Sequence, residues 1–356
     1  MPIEIRLKEE VNYTGKEPGS IGEAIVKQVF NNDNVEASLG IRVREDVVVR
    51  EKTILLAMKR YITRKREGCG EKTNSGRIIA REKWLEVVNA QIWDQICAED
   101  FGDTIAALAR KKGYDVNNLE DTEIEDLLKT MYIQIWENDF QMMIQFGDTT
   151  IDKTPPAGDK STWTEAQKDD YSKRLTLSII DGFWTLALKG VGLEDDDPDK
   201  IKRAVVVPGG ALPANYTRDI FLPGLYEAQP RGMAKTPNSE KLYVLSTSLY
   251  NNLAASLRNY TTTGEKALNY FVDGTGTISF EGITISRNDD IEEEVETFKR
   301  RGYLTVKGGF EVGTDTHQVS QVMAAWFDRN TDLNNIQIRY KIGMQYADGD
   351  VTVVGY

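Results

Sequence analysis

The chain has 356 residues but one histidine, His317, and two cysteines, Cys69 and Cys97. A lone imidazole excludes HExxH zinc sites, two-histidine iron sites and histidine-rich metal clusters. Two cysteines so far apart exclude a disulfide framework and fit a reduced, intracellular chain. No apolar run approaches the roughly 18 residues that a membrane helix needs. The first segment, MPIEIRLKEE, lacks the apolar core of a signal peptide. The Asn-Tyr-Thr sequons at Asn12, Asn215 and Asn259 are therefore read as chance.

Catalytic signatures are equally scarce. No GxxxxGK[ST] phosphate loop can be written anywhere. Gly274 and Gly276 have a dinucleotide-like spacing, but no third glycine follows, and they read as the start of a hairpin. His317 lies near Asp315 and Ser320, yet triads assemble in space rather than within six residues, so it reads as a surface or interface residue. Cys69 sits in a glycine turn, Gly68-Cys69-Gly70, without a neighbouring base. With 56 acidic side chains, chance carboxylate pairs are inevitable, so none can be assigned to chemistry. The acidic run Glu194–Asp199 lacks the ligand spacing and closing glutamate of an EF-hand and reads as a solvated loop. The expectation is a chain that is not an enzyme, with no catalytic residue, no cofactor and no metal.

What is present is ordinary globular composition, 40% hydrophobic and 28% charged, with a net charge of −12. The charge is unevenly spread. Residues 41–83 carry 13 basic against 6 acidic side chains, a net +7, which leaves −19 on the rest. An acidic body argues against a dedicated nucleic-acid binder. The basic stretch has only Tyr61 before Trp84, too little aromatic interleaving for base stacking; non-specific attraction to a phosphate backbone stays open.

Residues 1–40 read as an arm with one short helix over about 20–30, its stripe formed by Ile21, Ala24, Ile25 and Val29. Residues 41–83 read as extended: Ile41 and Val43 alternate with Arg42 and Arg44, then come runs at 53–66 and 77–81 around a glycine-rich tip. Trp84, Val87, Val88, Ile92 and Ile96 predict an amphipathic helix, and 104–112 a second. From about Glu120 to Phe146, Ile124, Leu128, Met131, Ile135 and Trp136 predict one buried stripe on a helix of roughly 27 residues, about 40 Å long. That exceeds the mean of about 11–12 and suggests a structural spine. A polar insertion at 148–170 precedes renewed helical spacing through Leu175, Ile179, Phe183 and Leu186, and 205–240 is turn-rich. Leu242–Leu245 reads as a strand, Ser246–Ser248 as a cap into a helix, and Ile278–Ile285 as a tight hairpin around Glu281-Gly282. Val322–Phe327 and Ile336–Tyr356 close the chain in strands. Strands and helices do not alternate regularly, so the fold class is α+β.

The basic hairpin is too poor in apolar residues and too rich in like charge to stand alone. The rest of the same sequence is acidic, so the inference is self-association, the hairpin of one copy lying on the body of the next in a head-to-tail contact. Arg50, Lys52, Lys59, Arg60, Arg64, Lys65 and Arg66 are the expected intersubunit residues.

Taken with this order of elements, several segments resemble the major capsid proteins of tailed bacteriophages, the Hong Kong 97-like fold. They are GIRVREDVVVREKTILLAMKRYITRKR at 40–66, REKWLEVVNAQIWDQICAEDF at 81–101 and DGFWTLALKG at 181–190. KLYVLSTSLYNNLAASLR at 241–258, FEGITISRNDDI at 280–291 and IQIRYKIGMQYADGDVTVVGY at 336–356 add to them. Their texture is similar to capsid proteins of phages infecting Bacteroidetes, including the crAss-like group. The resemblance implies an N-terminal arm at 1–40, an extended loop at 41–83 and a spine helix with peripheral domain at 84–170. It further implies an axial domain at 171–320 and C-terminal strands of the peripheral domain at 321–356. It implies a subunit of the virion, assembled in the host cytoplasm into hexamers and pentamers around double-stranded DNA. Portal, scaffold and decoration proteins would be further partners, with no membrane. No helical scaffolding segment precedes the arm, so a separate scaffold or none is implied. Some relatives crosslink a lysine to an asparagine between subunits, for which Lys59, Lys65 and Lys72 are available. An encapsulin-like compartment sharing the fold, and an enzyme with a carboxylate mechanism, are the alternatives.

Overall fold

A computed structural model describes residues 33–45, 47–58, 78–96, 123–262, 270–272, 277–294, 300–315, 323–331 and 333–356. The first elements are α1 (Asp33–Leu39), β1 (Ile41–Arg44), β2 (Arg50–Met58), β3 (Ile78–Glu86), β4 (Val88–Ile96) and α2 (Glu123–Phe146). Then come α3 (Glu165–Leu177), α4 (Phe183–Val191), β5 (Lys202–Val205), α5 (Leu222–Glu227), α6 (Arg231–Lys235), β6 (Lys241–Ser246) and α7 (Thr247–Thr262). The remainder are β7 (Tyr270–Val272), β8 (Ile278–Phe280), β9 (Ile283–Asn288), α8 (Asp290–Glu294), β10 (Gly302–Val306), β11 (Phe310–Gly313), β12 (Met323–Asp328), β13 (Leu333–Tyr346) and β14 (Thr352–Gly355). The sequence-predicted helices over 20–30 and 104–112 fall outside the described residues.

A five-stranded sheet runs β1-β11-β13-β12, with β4 also paired to β13. A seven-stranded sheet runs β5-β14-β10-β6-β9-β8-β7. β11, from the segment expected to be axial, lies in the five-stranded sheet, and β14, expected to be peripheral, lies in the other. The chain therefore crosses between sheets at Lys307–Gly309 and again at Ala347–Val351.

Residues 84–96 correct the sequence reading: they form strands, not a helix. Trp84, Val88, Ile92 and Ile96 recur every four residues, and four is close to one helical turn but also two strand repeats. β4 pairs antiparallel with β13 from Val88↔Ile342 to Ile96↔Asn334. Its even-numbered Ala90 and Ile96 are buried, whereas Gln91, Trp93 and Gln95 are exposed on the opposite face.

α2 is 24 residues long, close to the expected span. Its buried face is Leu128, Ile133, Trp136, Phe140, Met143 and Ile144. Trp136 meets Tyr340 of β13 with ring centroids 5.0 Å apart. Leu128 and Trp136 are thus core residues as expected, and Ile124 lies in the first turn. Met131 and Ile135 are not core: they are 49% and 45% exposed. At about 100° of rotation per residue, Ile135 sits a quarter-turn from Trp136 and Met131 further still, so the sheet reaches neither.

The helical spacing predicted over 171–190 resolves into two helices broken at 178–182. α3 starts earlier than expected because Thr164 and Gln167 form a reciprocal capping box. α4 wedges between the sheets: the Phe183 ring lies 4.1 Å from Tyr303 of β10 and 4.5 Å from Phe310 of β11. A second core fills the seven-stranded sheet side, with Phe221, Leu222, Leu225, Tyr243, Leu245, Leu249, Leu253 and Phe280. The β8–β9 turn is as predicted. Glu281 and Gly282 take φ of 52° and 75°, the pair of positive values that a tight hairpin turn needs. The N-terminus of α7 is capped differently from expectation: Ser246 ends β6, and Glu292 accepts from the Ser248 backbone N–H at 2.8 Å and from its hydroxyl at 2.7 Å.

Candidate functional site

β2 and β3 form a two-stranded ribbon of nine registered pairs, Arg50↔Glu86 to Met58↔Ile78, about 30 Å long. Among the described residues neither strand pairs with any other. Alternation divides the ribbon's root into two faces.

The inward face carries Glu51, Thr53, Arg81, Lys83 and Leu85. Leu85 is fully buried, seated where Gly313 of β11 leaves room, and Gly343 of β13 leaves room for the main chain of the next two residues. A Cβ on Gly343 would stand 1.9 Å from the Glu86 carbonyl oxygen, so only glycine allows the β3–β4 junction to cross β13 there. Arg44 Nη2 donates to Glu51 at 2.6 Å and its Nη1 to Glu311 at 3.1 Å, tying β2 to β1 and β11. One register step outward, Lys83 Nζ donates to the Tyr346 carbonyl at 3.0 Å and lies 4.0 Å from that ring's centroid. Lys83 Nζ and Arg81 Nη2 converge on Asp199 Oδ1 at 2.8 and 2.7 Å. Partial burial acts to raise the Asp199 pKa, but hydrogen bonds and charge from Lys83 and Arg81 outweigh it and hold the carboxyl below its ordinary value. Burial, with the Asp199 charge beside it, pushes the Tyr346 hydroxyl up to about 12.

The outward face carries Arg50, Lys52, Ile54, Glu82 and Trp84. Arg50 lies over the Trp84 indole, 4.6 Å from its centroid, with Lys52 at 5.6 Å. Lys52 also pairs with Glu82. Ile54 and Trp84 remain 56% and 43% exposed. Of the seven basic residues expected at an intersubunit contact, Arg50 and Lys52 thus stand on the open face, steadied by their own ribbon. Lys59, Arg60, Arg64, Lys65 and Arg66 fall outside the described residues, as do Lys72, His317 and both cysteines.

Arg81, Lys83 and Asp199 were missed as a group. The signal was there: two cations at strand spacing and an acidic run elsewhere of opposite sign. That run reads as solvated from sequence, and only the fold brings its last aspartate to the ribbon. Among the described residues no three His, Cys, Asp or Glu side chains converge as a metal site would. No described helix is long and apolar enough to cross a membrane.

No family model matches the chain, and no curated protein matches its sequence. Solved structures do match its fold. A chain of the satellite phage P4 procapsid, a structure that includes the size determination (Sid) protein, has 11% identity and a TM-score of 0.51, over 93% of this chain and 90% of that one. A Gordonia phage Cozz chain has 10% identity and a TM-score of 0.51, over 90% and 85%. At such identities the fold is what is shared: this chain has the α+β fold of those two phage chains.

Proposed function

We propose that the chain is the major capsid protein of a tailed phage, a structural subunit of the virion rather than an enzyme. It assembles with copies of itself into the hexamers and pentamers of an icosahedral head enclosing double-stranded DNA. The observation that carries this reading is the β2–β3 ribbon. Both its edges are open among the described residues, and its outward face exposes Ile54 and Trp84 between cations. A lone two-stranded ribbon is marginal in water, and an exposed apolar stripe of this kind is stabilised by a second surface. A neighbouring copy supplies one, since residues outside 41–83 carry −19. The contact joins unlike surfaces head to tail, the type that closes into rings.

In this reading residues 1–40 are the arm and 41–83 the extended loop. α2 is the spine and the five-stranded sheet the peripheral layer. The seven-stranded sheet, with β14 added, is the axial layer. The affinity with Bacteroidetes phages rests on the sequence segments quoted above.

Electron microscopy and sedimentation of purified, nucleic-acid-free protein test the reading. Round shells are expected; a monomer at every concentration and salt overturns it. Single surface pairs contribute about 0–1 kcal/mol, so the decisive variant reverses Lys59, Arg60, Arg64 and Lys65 together to glutamate. It should abolish empty shells while leaving circular dichroism unchanged. Normal shells that merely retain less DNA would show that the loop faces the genome instead.

A further inference from the structure

A long open edge strand invites pairing with another chain, and natural sheets blunt such edges with short strands, bulges, proline or charge. Three edges of the two large sheets follow that rule. β1 has four residues, two of them Arg42 and Arg44; β5 has four, with Lys202 and Arg203; β7 has three. β4 does not follow it. Its nine residues include no proline, glycine or basic side chain, and its register with β13 is unbroken from end to end. Its one charge, Asp94, is turned to α2, where the Tyr132 hydroxyl donates to it. Among the described residues the other edge of β4 pairs with nothing. The same margin has a second bare feature. Trp136 of α2 meets Tyr340 of β13, and Tyr132 reaches β4. At about 100° per residue, Tyr132 stands about 40° round the helix from Trp136, Ile135 about 100° and Met131 about 140°, all in one sense. Phe140, Ile133 and Ile144 lie in the other sense and are buried. The half-exposed Met131 and Ile135 therefore lie on the flank of α2 beyond β4, where the sheet ends.

We propose that this margin is an isologous interface: β4 pairs antiparallel with β4 of a second copy about a two-fold axis, and the Met131 and Ile135 flank of α2 packs on its counterpart beneath the joined sheet. The chemistry selects the partner. An occupant must bring a strand with an uncharged edge and, one layer below, an apolar helix flank. The same margin of another copy brings both. The β2–β3 ribbon of a neighbour would bring Arg50, Lys52, Arg81 and Lys83 and no helix to cover Met131 and Ile135. Full overlap of the two strands sets Ile92 on the axis, Val88 opposite the partner's Ile96 and Ala90 opposite the partner's Asp94, so no like charges meet. Such a contact is self-complementary, unlike the head-to-tail one. Its use in joining one ring to the next rests on the shell reading; the pairing itself does not.

A single-cysteine scan tests it. Residues 88–96 are replaced by cysteine one at a time in the full chain, with Cys69 and Cys97 replaced by serine, and mild oxidation is followed by non-reducing electrophoresis. A disulfide needs Cα atoms within about 7 Å. Only the residue on the axis meets its own counterpart, at about 5 Å, whereas residues one and two positions away are about 8 and 14 Å from theirs. One cross-linked position is therefore expected, Ile92 at full overlap. Cross-linking at no position, or evenly at all of them, overturns the pairing. Each variant is also mixed with a chain carrying Ile54→Cys on the ribbon; dimers that form only in the mixture put a ribbon on the edge and overturn it too. Met131→Asp with Ile135→Asp places four carboxylates in the interface and should cut the cross-linked yield at least about tenfold, with circular dichroism unchanged because both side chains are half exposed. An unchanged yield removes the helix flank from the interface and overturns that part of the proposal. Shells that form without the single cross-linked position overturn the pairing alone. The single cross-link in a chain that never forms shells overturns the shell reading alone.

Discussion

Gly343→Ala measures how tightly the ribbon's root is seated. The added Cβ would lie 1.9 Å from the Glu86 oxygen, 2.8 Å from its carbonyl carbon and 3.0 Å from the Val87 Cα. All three obstacles are main chain, so no rotamer change relieves them. The β3–β4 junction, or β13 itself, must retreat by about 1 Å. Overpacking a core typically costs about 1–3 kcal/mol, with larger values where the neighbours cannot yield. An immovable carbonyl puts this site at or above about 3 kcal/mol, a sizeable part of a total of about 5–15 kcal/mol. Urea unfolding of the unassembled chain gives the measurement as a fall in midpoint at unchanged slope. Gly209→Ala is the control, because a Cβ there meets nothing within 4 Å, and should stay within about 0.5 kcal/mol of the parent. Leu85→Ala should cost about 2–5 kcal/mol by leaving a cavity, without rescuing Gly343→Ala. A Gly343→Ala chain within about 0.5 kcal/mol of the parent would refute the crossing.

On α2, Phe140→Ala should cost about 3–5 kcal/mol and Ile135→Ala under about 1 kcal/mol because its side chain is half exposed, whereas Ile135→Pro should cost about 3 kcal/mol or more through the backbone; thermal melts rank the three. The folded pKa of Asp199 lies below its unfolded value, so its contribution is present above the ordinary carboxylate range and is lost as pH falls through the depressed folded value. An acid titration of stability should therefore show Asp199→Asn and parent converging at the most acidic pH and separating above it. Glu292→Ala removes both cap bonds to Ser248 and should cost about 0.5–2 kcal/mol, read as faster amide exchange in the first turn of α7.

How much of this was legible follows the range of the interaction involved. α2, β1, β6 and the Glu281-Gly282 turn are set by local pattern, and each stands close to where the sequence puts it. β4 was misread because a spacing of four satisfies both periods, and only pairing with β13 decides between them. Met131 and Ile135 have the right residue type for a core, but which arc of a helix is covered depends on what lies beside it. β5, β10 and β11 are four or five residues each, too short to carry a period. Arg50 and Lys52 were singled out by charge, which a sequence displays. Arg81, Lys83 and Asp199 needed a contact spanning 118 positions, which it does not.

The packing of α2 on β13 also sets a clock. Met143 and Tyr340, which meet in that core, are 197 positions apart. At about 5–20 residues per second, a ribosome needs roughly 10–40 s to make the intervening chain. Throughout that interval the helix has been made and its Trp136 and Phe140 face has no sheet to cover it. Arg44 and Glu311, 267 positions apart, wait longer still. A nascent chain with this topology carries a sticky helix for about half of its synthesis, and its yield should track the supply of chaperones that hold such surfaces until the last tenth of the message is read.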